Sequence, residues 1–173
     1  MLDYLEIAEM SMSAMDKLNS AGIKCTVLTK GILPEKLNEL TPENEYGITL
    51  VSLDKSYRNV YEPGAADYSD RIKALKYLHD RGLKTWVSIE PYPTPNIIEQ
   101  NLTKILEEVS FVDKIIFGRT HYNKIISSFK DHKLFYNTQA QKVIQFCETK
   151  NIAYHIKKGT ITKGSDELIR VAT

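Results

Sequence analysis

Lys30, Ser52, Glu90, Gly118 with Arg119, and Lys157 share a position in the pattern: each closes a short, β-rich apolar run. In a parallel sheet the carboxyl ends of the strands form one rim, and ligands bind there. Collected on that rim, a lysine and a serine from neighbouring strands hold a carboxylate or a phosphate. The lysine acts as a point charge and the hydroxyl as a hydrogen-bond donor. Glu90 accepts bonds from hydroxyls or amines, and Gly118 lets a flat ligand approach the backbone. Plainer readings stand beside these. A lysine at a strand end is commonly just solvated. Ser52-Leu53-Asp54 equally begins a turn or caps a helix, and Glu62-Pro63-Gly64 is most economically a turn. The shared location carries the functional reading, not any one side chain.

The elements that must position these residues alternate along the chain. Leu5, Ala8, Met12, Met15 and Leu18 recur at helical spacing, and Gly22 stands where such a helix stops. Strands are predicted over 24–29, 47–52, 84–90, 113–117 and 152–156. Between them fall a short helix opening at Pro34 and a longer one starting near Asp67, with Tyr68, Ile72, Leu75 and Leu78 on one face. Asn96-x-x-Glu99 and Thr138-x-x-Gln141 read as capping boxes ahead of two further helices. Strands alternating with helices imply right-handed βαβ crossovers and a parallel sheet. The strands are too few for a closed eight-fold barrel, which leaves an open barrel or a doubly wound sheet. The chain opens on a helix rather than a strand, as a fragment of an α/β series would. Residues 1–158 form the partial barrel in this reading, and 159–173 a polar tail or edge segment.

Composition narrows the function classes. The chain has 173 residues and is 42% hydrophobic, enough for one core. Lys and Arg number 23 against 22 Asp and Glu, so no global field of either sign points to nucleic acid. No apolar run approaches the roughly 20 residues that span a bilayer, and no signal-peptide pattern opens the chain. The two cysteines, Cys25 and Cys147, lie far apart, as reduced buried thiols of a cytoplasmic protein would. His121, His132 and His155 share no metal-ligand spacing, so no metal site is expected from them.

Several of these segments together resemble a known family. Arg58-Asn-Val-Tyr-Glu-Pro-Gly-Ala65, Arg71-Ile-Lys-Ala-Leu-Lys76 and Trp86-Val-Ser-Ile-Glu-Pro91 are similar to the second half of radical SAM proteins, in the branch of spore photoproduct lyase-like enzymes. Lys24 to Lys30 and Ile115 to Asn123 are similar to the flanking strands of that branch, and the likeness covers residues 5 to 160. It implies an α/β fold: a parallel-stranded open half-barrel, the C-terminal part of a (β/α)6 barrel. That barrel binds S-adenosylmethionine and a 4Fe–4S cluster at the carboxyl rim. Carried over by position, Lys30 and Ser52 lie near the methionyl carboxylate and Arg58 supports that end. Ile89 and Glu90 lie near the adenosine, and Gly118 lies close to the adenine. The resemblance assigns no catalytic residue on this chain.

One feature of the family is missing. Its cluster is held by a Cys-x-x-x-Cys-x-x-Cys loop, and Cys25 with Cys147 cannot supply three thiolates. The expectation is therefore the C-terminal half of a radical SAM enzyme, inactive alone and retaining neither cofactor. Its partner would be the missing N-terminal half, with a small-molecule or macromolecular substrate and possible dimers through the open barrel edge. Two other classes remain: a non-redox α/β enzyme using Lys30 for phosphate or Schiff-base chemistry, and an interaction or scaffold module.

Overall fold

The computed structural model describes residues 4–120 and 124–162. Five parallel strands run β1 (Thr26–Thr29), β2 (Glu45–Thr49), β3 (Lys84–Tyr92), β4 (Lys114–Arg119) and β5 (Ala153–Ile156), in the spatial order β1-β2-β3-β4-β5. Each strand therefore pairs with its neighbour in sequence. Right-handed crossovers in that order put every connecting helix on the same side of the sheet. A doubly wound sheet needs a reversal of strand order, which is absent among the described strands, so the open half-barrel is the architecture.

Strand register explains the core. Ile48, Val87 and Ile115 form one lateral row and Ile89 with Phe117 the next, all buried. Leu75 and Leu78 of α3 (Tyr68–His79), Ile105 and Leu106 of α4 (Leu102–Glu108), and Val143 and Cys147 of α6 (His132–Lys150) close over them in one apolar cluster. Since side chains alternate along a strand, the other face carries different rows. Leu28, Gly47, Trp86, Lys114 and Ala153 form one, and Thr49, Ser88, Ile116 and His155 another. The Trp86 ring lies flat over Gly47, close enough that a Cβ there would stand 2.4 Å from Cε2. Only a glycine admits that approach.

Strand positions follow the sequence expectation with small shifts. β2 leaves the ladder after Thr49, although the Leu50 N–H still donates to the Ser88 carbonyl at 2.9 Å. The short helix after Pro34 is a 3-10 helix, Glu35–Glu39. Helix α1 covers Tyr4–Ser20. Both expected capping boxes are absent. Asn96 accepts from the Thr94 hydroxyl and donates to the Ile125 carbonyl, and α4 starts later, where the Asn101 side chain accepts from the Thr103 N–H. Thr138 lies inside α6, its hydroxyl donating back to the Leu134 carbonyl. Of the two readings of Ser52-Leu53-Asp54 the helix cap holds: a short α2, Lys55–Tyr61, follows, capped by Asp54 at Ser56 N and Tyr57 N.

Past β5, the Thr160 side chain is buried and accepts from the Arg119 N–H, while Thr162 N donates to Asn137. The expected tail from 163 onward lies outside the described residues, as do His121 to Asn123. No described helix is long and apolar enough to cross a membrane.

Candidate functional site

The carboxyl rim holds a buried ion cluster whose centre is Glu62. This residue follows α2, and its side chain is 2% exposed. One oxygen, Oε2, accepts from the Arg71 guanidinium at 3.0 Å, and Oε1 meets the Lys30 ammonium at 2.9 Å. Arg71 is wholly buried. Its Nε donates to the Ala66 carbonyl and its NH1 to the Thr49 carbonyl, each at 2.9 Å, and its guanidinium stacks on Tyr68 at 4.9 Å. A buried carboxylate is tolerable only with such compensation. Burial and the Glu62 charge together push the Tyr57 hydroxyl up to about 12, and the same two causes raise Tyr68.

Lys30 differs from its partners in being 44% exposed. It stands at the mouth of a cleft of about 170 Å³ whose walls include Glu62, Tyr57, Tyr61, Pro91 and Thr120. Tyr57 and Tyr61 stack there with ring centroids 4.7 Å apart. Lys30, Tyr57 with Tyr61 and Glu62, and Thr120 follow β1, β2 and β4, and Pro91 lies at the carboxyl end of β3, so the cleft gathers four successive strand ends. A lysine ammonium has three donors, and Glu62 Oε1 faces it as an ion pair at 2.9 Å rather than through a hydrogen bond. Those donors can bind a carboxylate or a phosphate. A second groove of about 220 Å³, between α1 and β1, is lined by Ile7, Met12, Leu28 and Leu33 among others and by no charged group.

The other expected residues occupy separate places. Ser52 is buried, and its hydroxyl oxygen accepts from the Asp54 N–H at 3.1 Å, at the entry to α2. Arg58 turns to the next loop, pairing with Asp67 at 2.7 Å and donating to the Ala65 carbonyl. Ile89 packs in the core beside Phe117. Glu90 pairs with Lys157 at 3.4 Å and lies over Gly118, the two residues meeting across β3 and β4. The space that a flat ligand would use at Gly118 is thus taken by the Glu90 carboxylate.

Glu62 and Arg71 are the residues that sequence reading passed over. Arg71 falls on the apolar stripe of α3, between Tyr68 and Leu75, where positions 68, 71, 75 and 78 are all buried. A charge on a buried stripe demands a buried partner, and that was the available signal.

The thiol donors do not fit an iron–sulfur cluster. Cys25 is half-buried just before β1, and Cys147 is buried in α6, where desolvation pushes its thiol up to about 11. Among the described residues no group of three or more His, Cys, Asp or Glu converges on one point.

Comparison with known proteins adds three findings. Two solved structures of SuiB from Streptococcus suis superpose on nearly the whole chain. The one bound to S-adenosylmethionine gives a TM-score of 0.61 at 17% identity, covering 98% of this chain and 39% of that one. The other gives 0.60 at 16% identity, covering 98% and 40%. The uncharacterized protein ORF301 of Acidianus two-tailed virus is 24% identical over 103 residues, 57% of this chain and 34% of that protein. The chain thus spans about a third of this curated relative and two fifths of the solved structures. The profile of the radical SAM superfamily matches residues 2–109, well over half of the sequence, and the chain belongs to that superfamily.

Proposed function

We propose that this chain is the C-terminal half of a radical SAM enzyme of the spore photoproduct lyase-like branch, contributing contacts to S-adenosylmethionine and substrate. The observation that carries the reading is Lys30, an ammonium held at the mouth of a cleft built from successive strand ends. In this reading Lys30 receives the methionyl carboxylate. The Ser52 hydroxyl, buried outside the cleft with its oxygen accepting from Asp54, keeps its proton and donates to the same group only if the Ser52–Asp54 turn opens. Arg58 supports that end by fixing the Ala65–Asp67 loop. Glu90 and the Ile89 backbone lie toward the adenosine, and the adenine reaches Gly118 only if the Glu90 carboxylate swings aside.

The cluster, when bound, supplies the electron that cleaves S-adenosylmethionine. Its ligands would come from a Cys-x-x-x-Cys-x-x-Cys loop on an N-terminal partner segment, because this chain has two thiols where three are needed. Two free thiols and a nearly balanced charge fit a cytoplasmic protein. A Schiff-base lysine would need a dry apolar pocket. Lys30 is instead half-exposed beside a carboxylate, which favours ionic binding.

Anaerobic reconstitution with iron and sulfide tests the assignment. The 173-residue chain should stay colourless and fail to cleave S-adenosylmethionine under reducing conditions. A polypeptide extended upstream through a three-cysteine loop should turn brown and gain reductive cleavage. Stoichiometric iron and cleavage in the chain alone would overturn the reading.

A further inference from the structure

We propose that Glu62 is a positioning residue for Lys30: anchored by Arg71, it fixes the ammonium at the mouth of the cleft, ready for an incoming carboxylate. The proposal rests on the reading that Lys30 receives the carboxylate of S-adenosylmethionine.

The division of labour between the Glu62 oxygens carries the argument. Oε2 is engaged by Arg71, and that bond with the two carbonyl bonds of Arg71 would suffice to keep the pair buried. Oε1 has no hydrogen-bond partner apart from its ion pair with Lys30. It is a buried acceptor directed at a half-exposed cation. The anchor is rigid at both ends, since Arg71 ties Thr49 at the end of β2 to Ala66 ahead of α3. Lys30 is held twice by the same loop: its carbonyl accepts from the Ala66 N–H at 3.0 Å, and its ammonium meets Glu62.

A free lysine stem samples many rotamers and loses that freedom when it binds a ligand. A tethered one has lost it already, so a carboxylate meets an ordered donor set. The tether is an ion pair without a hydrogen bond, so it leaves the ammonium donors available for a ligand. The opposing effect is repulsion between Glu62 and the ligand carboxylate. Arg71, at 3.0 Å, offsets the Glu62 charge, so ordering outweighs repulsion.

Without the iron of the cluster the 173-residue chain is expected to hold S-adenosylmethionine only weakly, so the test is a double-mutant cycle on that weak binding, read by ligand NMR. Lys30→Ala should weaken binding about tenfold or more, as loss of a charge-assisted bond does. Glu62→Gln should weaken it about fivefold, the scale of a partly exposed ion pair, and Glu62→Asp should recover part of the loss. In the Lys30→Ala background Glu62→Gln should change nothing further. Unchanged or tighter binding by Glu62→Gln, or the same loss on top of Lys30→Ala, would sink the positioning role alone. Indifference of binding to Lys30→Ala would remove the reading beneath it as well. Because Glu62→Gln leaves Arg71 buried without its counter-charge and can fail to fold, a second measurement uses the unaltered protein. NMR relaxation of lysine side chains should find the Lys30 ammonium more ordered than that of exposed Lys55, and equal mobility would count decisively against the tether.

Discussion

The carboxylate of Glu90 rests directly on the backbone of Gly118, with Glu90 Cδ 2.7 Å from where a Cβ on that glycine would stand. The same kind of contact occurs two rows away on the same face, between the Trp86 ring and Gly47. The two glycines nevertheless differ in what a methyl group would displace.

Gly47→Ala should be the more damaging substitution. A large, 7% exposed ring would have to leave its seat, and overpacking of this kind costs about 1–3 kcal/mol. At Gly118 the obstacle is the end of a flexible, partly exposed side chain, so Gly118→Ala should cost under about 1 kcal/mol while breaking the Glu90–Lys157 pair. Denaturant titration of the two variants checks the order, and a larger loss at Gly118 would contradict it.

Arg71→Met should destabilise the fold by about 3 kcal/mol or more, because it leaves Glu62 buried with only the half-exposed Lys30 for compensation. The pair of substitutions Arg71→Met and Glu62→Gln should cost less than Arg71→Met alone, since the uncompensated charge goes with its partner. Chemical denaturation of the single and double variants measures this.

Stability should fall on the alkaline side. Burial raises Cys147 from 9.0 to about 11, and raises Tyr57 and Tyr92 from 10.0 to about 12. The folded chain therefore keeps protons that the unfolded chain releases, and the free energy of unfolding declines as pH rises. The contribution is complete below about 9, is lost between 9 and 11 for the thiol and between 10 and 12 for the phenols, and levels off above. Denaturation midpoints across that range should drop, with Cys147→Ala flattening the lower part of the slope.

Tyr136→Phe should loosen the rim. The Tyr136 hydroxyl donates to the Tyr92 carbonyl at 2.7 Å and accepts from the Thr120 N–H at 3.4 Å, joining the ends of β3 and β4. Its loss should cost about 1–2 kcal/mol, with faster amide exchange at Thr120. Unchanged exchange would mean that the loops are held by other contacts.

The strands were legible because each pairs an apolar run with a polar end, and the crossover rule made them parallel. Their order was left open between a barrel and a doubly wound sheet until the family resemblance was weighed. Helix α2 was legible only in its cap. Its charged and tyrosine-rich sequence buries only Tyr57, so it has no apolar stripe to read. Asn96 and Thr138 were misread because the side chains that cap helices bond equally well to hydroxyls and to carbonyls of neighbouring turns. At the site, Lys30 could be placed at a strand end from its run alone. Its partnership with Glu62 could not, since that contact joins residues 30 and 62 through space across a turn. Ser52 and Arg58 likewise look inward to local backbone, at Asp54 and Ala65, in ways that spacing does not encode.

The chain contains a single tryptophan, and it sits in the middle of the sheet face opposite the helices, with Lys114 5.7 Å from its ring centroid. Its indole is thus an intrinsic optical sensor at the point where the barrel interior would be enclosed. Any chain segment that completes the barrel must change the surroundings of that one fluorophore. Assembly with the proposed N-terminal half could then be followed by emission without a label, in a protein whose other aromatic residues emit at shorter wavelength.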